Sequence, residues 1–228
     1  MTQENETREH PKLVAIEQVS EGWINKYVLT YEKDNGETFT YESVSRKNLE
    51  EYTEQLERNA AGLPPKPDAV CIYPILPNDS ILLIREFRYP LNAWCVALPA
   101  GLIDEGESLE ETINRELMEE TGCRLRTDLE GPAYQLLPQS GFSSTGMGEE
   151  NVQVAIAYVE KAGEPQLGAN ELIETFELSR DEIGRFLDTN TSPIGTRCQL
   201  LLEASRRLQV LRKRLALAQN PLTKNDFA

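Results

Sequence analysis

The amino-acid sequence predicts an α+β fold, or a layered α/β/α sandwich, preceded by antiparallel strands. Three observations lead there. Continuous apolar runs at 69–75 and 152–159 read as buried strands, and the alternation across 12–44 reads as half-exposed ones. Only a few segments, 107–121 and 196–218 foremost, carry a helical period.

The elements follow in order. Residues 1–12 are polar and read as frayed. Val14 and Ile16, then Tyr27, Leu29 and Tyr31, alternate with polar neighbours, with turn signals at Ser20-Glu21-Gly22 and Lys33-Asp34-Asn35-Gly36. Asn35-Gly36 between alternating runs is a hairpin signal. Residues 47–62 are helix-compatible though poor in apolar periodicity, and Gly62-Leu-Pro-Pro-Lys-Pro is a linker. This divides the chain into N-terminal strands over 1–60 and a second domain over 61–228. Strands are expected at 69–75, 80–84, near 95–98, 134–137, 152–159 and 174–178, with a turn at Pro77-Asn78-Asp79 and a loop at 90–93. Leu109, Ile113 and Leu117 recur at i+4 in the helix over 107–121, and Gly122 stops it. Ser179 and Glu182 form a capping-box pattern for a short helix. A long helix over 196–218 closes the series, with apolar Leu200, Leu201, Leu208, Val210 and Leu211.

Composition narrows the chemistry. Among 228 residues, 38 are acidic and 23 basic, a formal net charge of −15. That balance argues against nucleic acid or an anionic membrane surface as partner. The N-terminus lacks the apolar core of a signal peptide, and no run approaches the roughly 20 apolar residues of a membrane span. Cys71, Cys95, Cys123 and Cys198 lie 24, 28 and 75 residues apart with no CxxC pair, as expected of buried reduced thiols in a cytoplasmic protein. The only histidine is His10, in the polar tail, so chemistry built on a histidine base or ligand is disfavoured.

Carboxylates are another matter. Residues 101–123 hold eight acidic side chains and one basic, Arg115, a net −7. On a helix, Glu116, Glu119 and Glu120 share one face, where they repel one another. A solvated acidic face is one reading. The other is a site for a hard divalent cation such as Mg²⁺ or Mn²⁺, favoured by the turn at Pro99-Ala100-Gly101 and the apolar stripe beside the glutamates. Arg115, four residues after Glu111, can brace the helix.

Gly101, Glu107, Arg115, Glu116, Leu117, Glu119, Glu120 and Gly122 fill the Nudix box, G-x5-E-x7-R-E-U-x-E-E-x-G-U. Cys123 stands where a larger apolar residue is usual. The chain therefore resembles the Nudix hydrolases, which cleave a nucleoside diphosphate linked to another moiety. The resemblance implies a Nudix α/β/α sandwich with an added N-terminal antiparallel β-sheet. It also implies a Mg²⁺ or Mn²⁺ site on Glu116, Glu120, Glu119 and the Ala100 carbonyl, with Arg115 and Glu107 as structural partners.

Over most of residues 20–215 the chain is similar to the ADP-ribose (ADP-sugar) pyrophosphatases. Trp94 to Glu107 looks like their stretch entering the box, and Ile84-Arg-Glu-Phe-Arg88-Tyr-Pro like their (V/I)-x-(Q/E)-(F/Y)-R-x-P strand end. By that likeness Arg88 binds phosphate. Gly22-Trp23 and Thr40-Tyr41-Glu42-Ser43-Val44-Ser45-Arg46 resemble the N-terminal strands of the eukaryotic-type enzymes, in which two aromatics, one from each subunit of a swapped homodimer, sandwich the adenine. Trp23 and Tyr41 take those positions, with Tyr in place of the second Trp; Glu42 would accept from the adenine amine and Arg46 reach the substrate. Strand packing is the alternative for both aromatics. Glu171-Leu-Ile-Glu174 matches the family's E-x-(I/V)-E loop, which makes Glu171 the assisting carboxylate or else a solvated one, and Glu174 structural.

The chain also departs from these enzymes. Many carry Glu where it has Ala97. Pro138 stands sixteen residues past Gly122, yet the context of Gly146-Met147-Gly148-Glu149 fits the family's S-P-G-x-(S/T)-(D/N)-E loop better, with Thr145 in the proline's place. The expected activity is hydrolysis of ADP-ribose or a related ADP-sugar to AMP and a sugar phosphate. The alternatives are another nucleoside diphosphate derivative (nucleotide sugar, dinucleotide polyphosphate, oxidised nucleotide), or a silent regulator that binds ADP-ribose.

Overall fold

The computed structural model describes residues 10–219, with side chains to residue 216. Residues 1–9 of the segment expected to fray lie outside the described residues. The described residues form two units, one of residues up to 68 with 140–152 and one of residues 69–139 with those from 153 onward.

In the first unit, β1 (Lys12–Gln18), β2 (Asn25–Glu32) and β3 (Thr38–Ser45) form an antiparallel sheet in the order β1-β2-β3. The β2–β3 hairpin turns at Gly36, φ +79°, where Asn35 Oδ1 accepts from the Glu37 N–H. An L residue with a Cβ is strained there, which is why Asn-Gly is a hairpin signal. Next comes α1 (Leu49–Ala60), started by Asn48 and Glu51 in a reciprocal capping box. Its weak apolar period still buries Tyr52, with Leu56 one turn on, against Tyr27 and Leu29. The Tyr52 hydroxyl donates to Ser43 Oγ at 2.7 Å, so an aromatic with a polar tip serves where an aliphatic stripe was missing.

The second unit begins with β4 (Ala69–Ile75), buried at every position, β5 (Ile81–Arg88), β6 (Ala93–Ala97) and β7 (Ala100–Leu102). The helix α2 (Leu109–Thr121) follows, then β8 (Cys123–Leu125) and β9 (Tyr134–Leu136). The two-residue β10 (Gly141–Phe142) belongs to the first unit and pairs with residues 151–152, where β11 (Asn151–Lys161) starts. The chain continues to β12 (Ile173–Leu178), α3 (Ile183–Thr189) and α4 (Thr196–Gln219).

The larger sheet runs β11-β4-β5-β12, with β6 on β5, β7 on β4, and β8 and β9 on β11. Alternation along β4 sorts the layers. Val70 and Ile72 pack with Ile113 and Leu117 of α2, together with Leu82, Ala155, Ala157 and Val159. Tyr73, on the opposite face, hydrogen-bonds Ser205 of α4 at 2.6 Å. Helices thus cover both faces of this sheet, and the chain holds an α/β/α sandwich and an N-terminal antiparallel sheet, as the sequence predicts. All four cysteines are buried and unbridged.

Some expectations need correction. Residues 99–101 were expected as a strand-to-loop turn; Ala100–Leu102 is a strand, paired with Ala69–Cys71 of β4, and three residues are too short to show alternation. The helix expected from Glu107 starts at Leu109, because Ser108 and Glu111 form the capping box. At Ser179 the hydroxyl donates to the Glu182 carboxylate rather than capping a helix; a 3-10 turn intervenes and α3 begins at Ile183. The short strands β8 and β10 carry no periodic signal. On α4 the buried residues are Cys198 and Leu202, while Leu200, Leu208, Val210 and Leu211 are exposed.

Candidate active site

The site grows from the joint between β7 and α2. Gly101 is fixed by close approach: a Cβ there would lie 1.8 Å from Glu116 Oε1. Gly122 closes α2 in the left-handed conformation, φ +66°, and a Cβ there would meet the Gly163 carbonyl oxygen at 2.3 Å.

Arg115 is the hub of the loop and helix. Its Nε and Nη2 donate to the two Glu107 oxygens at 2.9 and 2.8 Å, a planar fork on a carboxylate, and Nη2 also donates to the Leu102 carbonyl at 2.8 Å. Its Nη1 reaches Glu116 Oε1 at 2.6 Å and Glu119 Oε2 at 3.3 Å. The Arg115 fork, with a hydrogen bond from Thr112, lowers the Glu107 pKa to about 2. Both box residues expected to be structural therefore hold each other and the loop between them.

The carboxylates beyond Arg115 differ. Glu120 is buried and its Oε2 accepts from the Ala100 N–H at 3.1 Å. Burial raises its pKa well above the ordinary carboxylate range, and the charges of Glu116, Glu86 and Glu171 add to this. Burial likewise raises Glu116, opposed by Arg115. Glu119 is part-exposed, its side chain at 42%. Among the described residues no three such side chains converge as a ready-made cation cage. Arg115 draws one oxygen of Glu116 and one of Glu119 to itself. The donor set is nevertheless all oxygen, and two buried carboxylates that repel one another are stabilised when they share a hard divalent cation. The residues fit Mg²⁺ or Mn²⁺.

Glu171 lies in the loop before β12, its Oε2 accepting from the Gly168 N–H at 2.7 Å. Its charge acts on Glu86, Glu116 and Glu120, whereas Glu174 is exposed and faces Arg85 at 3.8 Å. Arg88 ends β5, with Nη2 2.7 Å from Glu86 Oε2. Glu86 has no role that the sequence motifs assign. The only signal was its place in the Ile84–Pro90 stretch.

The remaining predicted residues stand on the first unit. Trp23 lies in the bend between β1 and β2, 72% exposed, rather than on a strand, and Tyr41 on β3 is 49% exposed. The Tyr41 hydroxyl donates to the Gly146 carbonyl at 3.0 Å. Glu42 is paired with Lys26 at 2.9 Å, and Arg46 with Glu150. His10 is exposed. No helix of the described residues is long and apolar enough to cross a membrane.

Comparison with known proteins agrees with this geometry. The NUDIX domain profile matches residues 65–194. The ADP-sugar pyrophosphatase of Mus musculus is 30% identical over 181 residues, covering 75% of each chain. The ADP-ribose pyrophosphatase of Saccharomyces cerevisiae is 31% identical over 172 residues, 73% of this chain and 67% of its own. A crystal structure of an ADP compounds hydrolase superposes with a TM-score of 0.64 at 21% identity, covering 90% of this chain and 96% of the other, a likeness of fold. With an unbroken box on α2, a matching domain and relatives along most of its length, this chain belongs to the Nudix family of pyrophosphohydrolases.

Proposed function

We propose that this Nudix hydrolase cleaves the pyrophosphate bond of ADP-ribose or a related ADP-sugar, giving AMP and a sugar phosphate. One observation carries the substrate. The likeness to the mouse ADP-sugar pyrophosphatase spans 75% of this chain, more than residues 65–194 alone, so it extends beyond the part that every Nudix protein shares.

Glu116 and Glu120, with Glu119 and the Ala100 carbonyl, are the proposed holders of Mg²⁺ or Mn²⁺. Such a cation, when bound, neutralises the diphosphate and lowers the pKa of an attacking water. Arg88 and Arg46 grip the diphosphate as planar donors. The Trp23 and Tyr41 rings stack on the adenine, whose amine donates to Glu42. Glu171 takes the proton of the water that attacks phosphorus, and the bridging oxygen leaves with the other phosphate. The three-stranded sheet is the proposed contact of a homodimer: Val14, Val19, Ile24 and Phe39 leave apolar area exposed on that unit. Four buried thiols suit a reducing, cytoplasmic setting.

The test is AMP release from ADP-ribose with Mg²⁺, for wild type and Glu120→Gln. Absence of AMP from wild type overturns the substrate; equal turnover by the variant overturns the role of Glu120. The Tyr41 hydroxyl, tied to Gly146, favours one second reading, a different nucleoside diphosphate derivative. A substrate panel with UDP-glucose and a diadenosine polyphosphate separates the two.

A further inference from the structure

Glu86 stands outside the box, on β5, where the register with β6 sets which side chains share its face. Glu86 pairs with Cys95, and Ile84 with Ala97. Directly opposed residues share a face and alternate residues return to it, so Glu86 and Ala97 are diagonal neighbours on one face of the sheet. Ala97 fills its corner with a methyl group only. The Glu86 side chain is 14% exposed, and its Oε2 is buried without a hydrogen bond. The Arg88 guanidinium lies 2.7 Å from that oxygen, in an ionic contact not aligned as a hydrogen bond. That oxygen therefore rests on one ionic contact and no hydrogen bond, a costly arrangement for a largely buried carboxylate. Leu82, Ile84 and Glu86 alternate along β5 onto one face, and Leu82 packs there with Ile113 and Leu117 of α2, so Glu86 stands on the face of the sheet that carries the box helix.

We propose that Glu86 is a further carboxylate of the divalent-cation site, reaching it from β5 past the position where Ala97 supplies no ligand. This rests on the cation assignment above. Glu86 also fixes the Arg88 guanidinium beside the same site, so that cation and diphosphate-binding arginine are positioned by one side chain.

The experiment is Mn²⁺ titration of nucleotide-free protein, with free Mn²⁺ read by electron paramagnetic resonance. Glu86→Gln, close in shape, is expected to weaken Mn²⁺ binding by about tenfold or more, and Glu86→Gln with Ala97→Glu to return it to within about threefold of wild type. Arg88→Ala is expected to bind Mn²⁺ at least as tightly as wild type, since it removes a positive charge. Wild-type affinity in Glu86→Gln overturns the proposal, as does a double variant no better than the single one. Loss in Arg88→Ala equal to that in Glu86→Gln overturns it too, because Glu86 then acts only through the arginine. Should Glu86→Gln fail to fold, Ala97→Glu alone is expected to tighten Mn²⁺ binding several-fold, and no tightening overturns the assignment. Wild type that binds Mn²⁺ but leaves ADP-ribose intact refutes the substrate and not Glu86; wild type that binds no Mn²⁺ refutes the cation assignment and Glu86 with it.

Discussion

Along α2, Glu116 and Glu120 are buried, the glycine before them is fixed by a side-chain oxygen, and one arginine ties loop to helix. On the first unit, the Trp23 and Tyr41 rings are exposed and Glu42 is paired with a surface lysine. The first region holds charge where charge is costly; the second holds apolar rings where they are wasted unless something covers them. Buried carboxylates that the fold tolerates at a loss point to a cation, and exposed aromatics to a flat ligand or a second protomer. The two regions should therefore answer mutation in opposite ways, the first trading stability for activity and the second losing affinity alone.

The largest expected effect is at Glu120. Glu120→Gln should lower turnover by on the order of 10²–10³-fold, as when one electrostatic contact to a reacting group is removed. It should also raise thermal stability at pH 7 by about 1 kcal/mol, because a neutral amide escapes the burial penalty on charge. A variant that loses activity and stability together would break the comparison.

Two glycines sharpen it further. Gly122→Ala meets backbone at a left-handed position and should cost about 1–3 kcal/mol in urea unfolding. Gly101→Ala meets only the end of Glu116, so stability should fall less while turnover falls about tenfold or more, the carboxylate being displaced.

In the other region, Trp23→Ala should raise KM for ADP-ribose by about five- to a hundredfold, the worth of one base–aromatic stack, with kcat and melting temperature little changed. A kcat loss as large as the KM rise would show the two regions to be one machine.

The smallest effect concerns pH. Glu107 has a folded pKa of about 2 against an ordinary 4.5, so its pairing with Arg115 stabilises the fold fully above about pH 4.5 and is lost as pH falls toward 2. Glu116 and Glu120 have raised values, so their ionisation penalises the fold at neutral pH and that penalty is relieved as pH falls. Melting curves of Glu107→Gln should therefore lose part of the acid destabilisation between pH 4.5 and 2, whereas Glu120→Gln should stabilise at pH 7 and converge with wild type in acid.

The same contrast explains what was legible in the sequence. The box is local: Glu107, Arg115, Glu116 and Glu120 meet because a capped helix brings them round at fixed spacing, so its spelling implied its geometry. Strands with many residues, such as β4 and β11, announced themselves by apolar runs. β7, β8 and β10 did not, because two or three residues take their pairing from a distant partner. Glu86 was illegible for the same reason, since its meaning depends on a cross-strand register with Cys95 and Ala97. Nor could the sequence show that Tyr41, Ser43 and Arg46 would be engaged by residues 146, 147 and 150.

That last attachment has a consequence for synthesis. Val44 donates to the Met147 carbonyl at 2.9 Å, Ser45 to Glu149 at 2.5 Å, and Gly148 lies so close that a Cβ would sit 2.4 Å from the Val44 oxygen. The first unit is thus sealed by a segment that leaves the ribosome about a hundred residues after β3. Loop closure on that scale slows assembly more than it weakens the product. β3 must wait for these partners until residues 140–152 have been made. Truncation before residue 140 should leave β3 without these contacts, and a circular permutant that brings residues 140–152 next to β3 should form them sooner than the natural order allows.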